Sequence, residues 1–86
     1  MQLDELYKRV LEKTAVQPAT SQTARFLASG PDGVGRKLLE EAAESWMAAK
    51  FEDRDALALE ISQVLYFAVC LLVIREVELE EVLGRL

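Results

Sequence analysis

The stretch Lys37 to Trp46, KLLEEAAESW, sets Glu40, Glu41 and Glu44 within little more than one helical turn. The stretch Leu59 to Phe67, LEISQVLYF, sets Glu60 in an otherwise apolar run with Gln63 one turn later. Residues three and four apart on a helix share a face, so the acids of the first stretch crowd one another. Like charges at that spacing repel by roughly 0.2–0.5 kcal/mol per pair, which a wet surface tolerates, and taken alone these acids read as a solvated face. Glu60 changes the reading, because a carboxylate drawn into an apolar helix face without a partner costs several kcal/mol. An arginine or lysine, a proton or a metal cation could offset that cost.

Pairing the two stretches supplies the third option. The short, charged connection FEDRD allows the helices on either side of it to run antiparallel. Glu44 and Glu60 then lie at nearly equal distances from a turn centred near Asp53, and Glu41 and Gln63 do the same one turn further away. Three carboxylates and an amide converging between two helices form an all-oxygen site. Such a site suits magnesium or manganese rather than zinc, whose usual ligands are histidine and cysteine. Magnesium keeps several waters and commonly binds substrate phosphates, so the pattern points to phosphate chemistry.

The elements that must carry these residues are helical. Leu, Ala, Glu, Lys and Arg dominate, with only four Gly and two Pro in 86 residues, a helix-former's composition. Leu3, Leu6, Tyr7, Val10 and Leu11 recur at amphipathic spacing and predict a first helix ending near Thr14. AVQPATSQ reads as a loop open to ligand contact and TARFLA as a short helical turn, with SGPDGVG as a break. Gly30, Gly33 and Gly35 lack the order of a P-loop and read as a flexible connection. A second helix is expected from about Val34 to Phe51 with Asp32 as its N-cap, a third from Arg54 to Arg75 and a fourth beginning near Leu79. The second half of helix three, VLYFAVCLLVI, has no polar face and must be covered all round. Three other short helices could hardly do that, so a homodimer or higher homo-oligomer through helix three is expected. The fold class is all-α, a single domain over residues 1–86: an antiparallel hairpin or bundle of about four helices completed by homodimerisation.

Composition narrows the function further. A net charge of −5 argues against nonspecific nucleic-acid binding, which needs clustered Lys and Arg. Cys70 is the only cysteine, which rules out an intrachain disulfide, fits a cytoplasmic setting and reads as a small buried hydrophobe. The N-terminus lacks the apolar core of a secretory signal. Residues 56–74 are long and apolar enough to raise the question of a membrane span, but Glu60, Ser62 and Gln63 and the lack of basic flanking asymmetry argue against one. Trp46 and Tyr66 read as core or interface residues rather than base-stacking platforms, although either could flank a site.

At the acids the sequence resembles a known family. Glu41-x-x-Glu44 followed by Glu60-x-x-Gln63 resembles the metal signature of the all-α nucleotide pyrophosphohydrolases. The order from SQTARFLASG through GRKLLEEAAESW and LEISQVLYF to LEEVL is similar, from about Ser21 to Leu86, to the phosphoribosyl-ATP pyrophosphohydrolases of histidine biosynthesis. The resemblance implies a hydrolase that converts phosphoribosyl-ATP to phosphoribosyl-AMP and pyrophosphate, with magnesium bound by helix carboxylates in a homodimer. It maps metal-binding and catalytic roles onto Glu41, Glu44 and Glu60, with Glu40 and Gln63 as weaker metal candidates. It also matches Lys37 and Arg25 to basic positions that meet phosphates. Two residues depart from the family pattern: Gln63 stands where an acid is usual, and Phe67 where many members carry a histidine. A general nucleoside triphosphate pyrophosphohydrolase and a noncatalytic dimerisation module are the competing readings.

Overall fold

The first helix forms where an acid can cap it. The backbone N–H of Gln2 donates to Glu5 Oε1 at 3.3 Å, and α1 runs Leu3–Glu12 with Asp4 and Glu5 in its first turn, at the positive end of the helix dipole. Short 3-10 turns at Lys13–Ala15 and Pro18–Thr20 follow. The second turn opens on Pro18, whose fixed φ and missing N–H suit a first helical position. The computed structural model describes residues 1–86.

Ser21 caps the next helix, its Oγ accepting from Ala24 N at 3.1 Å, and α2 extends over Gln22–Phe51 with one interruption. SGPDGVG is therefore not the break expected from its glycines. Only Gly30 leaves helical geometry, at φ 75 and ψ −174, a conformation essentially confined to glycine. Helix resumes at once with Pro31, which is compatible with a first turn for the same reason as Pro18. Asp32 thus sits inside the first turn, and Gly30 occupies the position outside it that the sequence assigned to Asp32. Gly33 is needed for close approach, since a Cβ there would lie 2.3 Å from Ser29 Oγ.

Glu52 N bonds back to Ala48 O at 3.0 Å, and Asp53 Oδ1 accepts from Ala56 N at 2.9 Å. The reversal needs only these two residues, so α3, Arg54–Ile74, packs antiparallel along α2. Its C-terminal end closes with Val77 N donating to Leu72 O at 2.9 Å and Glu76 N to Val73 O at 3.1 Å, a Schellman closure with Glu76 at φ 57. The chain then forms α4, Leu79–Leu83.

All four helices contribute to one core: Tyr7 and Val10 from α1, Val34 from α2, Phe67, Val69, Cys70 and Val73 from α3, and Leu79 from α4. The Tyr7 hydroxyl is tied to Val77 O at 2.9 Å, and burial, the largest cause, pushes its phenol above the ordinary range. The apolar second half of α3 is better covered than the sequence argument allowed, with Leu65 its only exposed residue from Val64 to Ile74. Exposed apolar side chains fall instead around the first half of α3, at Leu59 and Ile61, and on α2 at Leu39, Trp46 and Phe51. Trp46 is thus no core residue. By length and composition α3 could cross a membrane, a test that the core helix of a folded bundle also passes.

Candidate active site

The face of α2 turned to α3 is set by small residues. Ser45 and Ala48 are buried, and Ser45 Oγ donates to Glu41 O at 2.8 Å, satisfying its polar group inside the helix's own backbone. With no bulky side chain between them the helices approach closely, and Glu41, one turn before Ser45, is carried into the seam. Glu44 stands at its outer edge and Glu60 faces both from α3. Ligand oxygens of Glu41, Glu44 and Glu60 all lie within 4.8 Å of one another.

The cluster lacks positive charge. The chain's single ion pair joins Lys37 Nζ to Glu40 Oε2 at 3.3 Å and lies outside the cluster. Glu60 Oε2 is buried with no hydrogen-bond partner. The Glu60 carboxyl is pushed up to about 7, first by Glu41 and then by Glu44, whose carboxyls hydrogen-bond its protonated form; desolvation and like charge act in the same sense. An orphaned buried oxygen beside two further carboxylates fits a hard divalent cation, which would offset most of their combined charge and give that oxygen a partner.

These acids form one end of an open cleft of about 650 Å³, lined also by Lys37, Gln63, Thr23, Phe26 and Tyr66. Gln63 therefore sits where its carbonyl can face the cluster's cleft. Two expected residues do not reach it. Glu40 is exposed, is engaged by Lys37 and does not line the cleft. Arg25 donates from Nη1 to Pro18 O at 3.0 Å, which fastens it to the preceding 3-10 turn. Phe67 is buried with its ring 5.0 Å from that of Phe26 at an interplanar angle of 89°. It forms part of the cleft's floor.

Gln22 ends the stretch read as open to ligand contact and does line the cleft, whereas Thr23 and Phe26 were read only as part of a short helical turn. Their only signal was the run SQTARF, and nothing in it says that the segment before Gly30 folds back across α3. Tyr66 was read first as core or interface, with a place beside a site as the alternative, and it meets Thr23 at the cleft's far end.

A strandless helical bundle with three carboxylates gathered between its two longest helices belongs to a recognisable class, the all-α proteins that set acids on facing helices above an open cleft. Comparison with known proteins narrows the class. The family model for phosphoribosyl-ATP pyrophosphohydrolase matches residues 3–86. A phosphoribosyl-ATP pyrophosphatase of Streptomyces coelicolor is 44% identical over 84 residues, covering 96% of this chain and 93% of that protein. One of Streptomyces avermitilis is 43% identical over the same length and shares. The chain belongs to the phosphoribosyl-ATP pyrophosphohydrolase family, hydrolases acting on a phosphoric anhydride.

Proposed function

We propose that this chain hydrolyses phosphoribosyl-ATP to phosphoribosyl-AMP and pyrophosphate in histidine biosynthesis, with Glu41, Glu44 and Glu60 as its metal-binding acids. The observation that carries the reading is the orphaned Glu60 oxygen inside a three-carboxylate cluster, in a chain of this family. Magnesium, or manganese in its place, is the cation the oxygen donors suit. Bound there, it supplies positive charge for phosphate oxygens and a more acidic water.

The protein's own groups do the rest. Glu41 and Glu60 are carried by the helix seam, so these carboxylates would hold the cation with little reorganisation during reaction. Lys37, on the cleft wall, reaches the polyphosphate and releases Glu40 in doing so. Gln63 offers a neutral carbonyl in place of an acid, which leaves the site less negative and less demanding of a second cation. The chain contains no histidine, so the proton lost by the attacking water passes to a carboxylate of the cluster as the α–β anhydride bond breaks and pyrophosphate departs.

The working unit is one all-α domain over residues 1–86 in a cytoplasmic homodimer or higher homo-oligomer. Support for assembly through α3 comes from a groove of Leu57, Ala58, Ile61 and Leu65, bordered by Arg54 and Ser62. Apolar surface of this kind, continuous along a helix, is what a second copy would bury. The test is pyrophosphate release by purified protein with magnesium, offered phosphoribosyl-ATP and ordinary nucleoside triphosphates in parallel. Release from phosphoribosyl-ATP is expected. Release only from ordinary triphosphates would transfer the chain to a general pyrophosphohydrolase role, and release from none would leave a noncatalytic helical module.

A further inference from the structure

The end of the cleft away from the carboxylates is built differently. Thr23 Oγ1 and Tyr66 OH hydrogen-bond each other across it, joining the first segment of α2 to α3. The Phe26 and Tyr66 rings meet edge to face, with centroids 6.2 Å apart at 74°. Tyr66 and Phe67 do so at 5.0 Å and 70°. The phenol is therefore held from several directions in a fixed orientation. Burial, the largest cause, keeps its pKa above the ordinary range, so it remains a hydroxyl at neutral pH.

Two hydroxyls that share one hydrogen bond have one hydrogen left to donate. Both side chains line the cleft and are only partly buried, so an oxygen acceptor of a ligand in the cleft can take it. At ~1.5 Å per residue, Tyr66 lies about 9 Å along α3 from Glu60, beyond the reach of a phosphate group seated among the acids. A neutral donor flanked by rings suits an uncharged sugar oxygen better than a phosphate, for which the chain has Lys37.

Resting on the function proposed above, we infer that the Thr23–Tyr66 hydroxyl pair binds the nucleoside portion of the substrate through a ribose oxygen and so sets which way the substrate lies in the cleft. The nucleoside then occupies the hydroxyl end, and the pyrophosphate leaves from the carboxylate end.

The test compares wild type with Tyr66→Phe, Thr23→Val and Thr23→Ser. Loss of one such hydrogen bond corresponds to about a tenfold change in affinity. The KM for phosphoribosyl-ATP should rise about tenfold in Tyr66→Phe and Thr23→Val, with kcat within about twofold and Tm lowered by no more than about 4–8 °C, as loss of the one Thr23–Tyr66 bond entails. Thr23→Ser, which keeps the hydroxyl, should recover most of the loss. By calorimetry, adenosine 5′-monophosphate should bind about tenfold more weakly to Tyr66→Phe, while pyrophosphate binding is unaltered. The inference is overturned by an unchanged KM, by a fall in kcat and Tm without a change in KM, or by weakened pyrophosphate binding instead. The monophosphate titration needs no turnover, so it decides the role of the pair even if the wild-type chain fails to cleave phosphoribosyl-ATP.

Discussion

Glu60 is the residue on which the chemistry turns. Its folded-state pKa of about 7 stands above the ordinary 4.5, so the folded, metal-free protein holds a proton that the unfolded chain has released. The resulting stability is fully present below pH 4.5 and is lost as pH rises through about 7. The Tm of metal-free protein should therefore fall across that interval, and addition of magnesium at pH 8 should restore it, because a cation replaces the proton among the same oxygens. Glu60→Gln should flatten that part of the profile and abolish the magnesium response. A magnesium-induced rise in Tm that persists in Glu60→Gln would remove Glu60 from the metal site. At this scale the sequence was informative for acids on the α2–α3 seam, because helical spacing alone places them. It was less informative for Arg25, whose partner, Pro18 O, is set by the shape of the 3-10 turn, while the Lys37–Glu40 pair follows from i,i+3 spacing once the helix is placed.

The element of interest is α2, which serves as both wall and floor. Its second segment brings Lys37, Glu41 and Glu44 to the cleft, and its first brings Thr23 and Phe26; Gly30 sets the angle between them. No atom lies within 4 Å of a Cβ built at Gly30, so Gly30→Ala creates no clash, and its whole cost is the backbone conformation. That cost should be about 2 kcal/mol of stability, measured by urea denaturation. A loss below about 0.5 kcal/mol would mean that the kink relaxes freely. Helix three and the turn at Asp53 were legible in advance, since a capping acid and a long apolar run are strong local signals. The kink was not. Gly-Pro-Asp-Gly-Val-Gly carries three glycines that locally favour a loop, and the continuation of helix depends on Val34 being fully buried in the core, a tertiary contact that no local pattern reveals.

For the whole molecule, four helices close a core around the second half of α3 but leave apolar surface beside its first half. Assembly through that surface predicts a dimer or larger species by sedimentation velocity, and Ile61→Lys, at a position already 42% exposed, should give a folded monomer. Unchanged sedimentation would place the interface elsewhere. The sequence argued for assembly from the second half of α3, which α1, α2 and α4 cover within one chain, a tertiary outcome that residue pattern does not reveal. The account as a whole rests on three acids acting together at one site. Its most direct test is magnesium-dependent pyrophosphate release from phosphoribosyl-ATP by Glu44→Ala, a substitution at an exposed position that leaves packing intact. Turnover should drop by at least about a hundredfold with helicity and assembly unchanged, whereas turnover within about twofold of wild type would contradict the account.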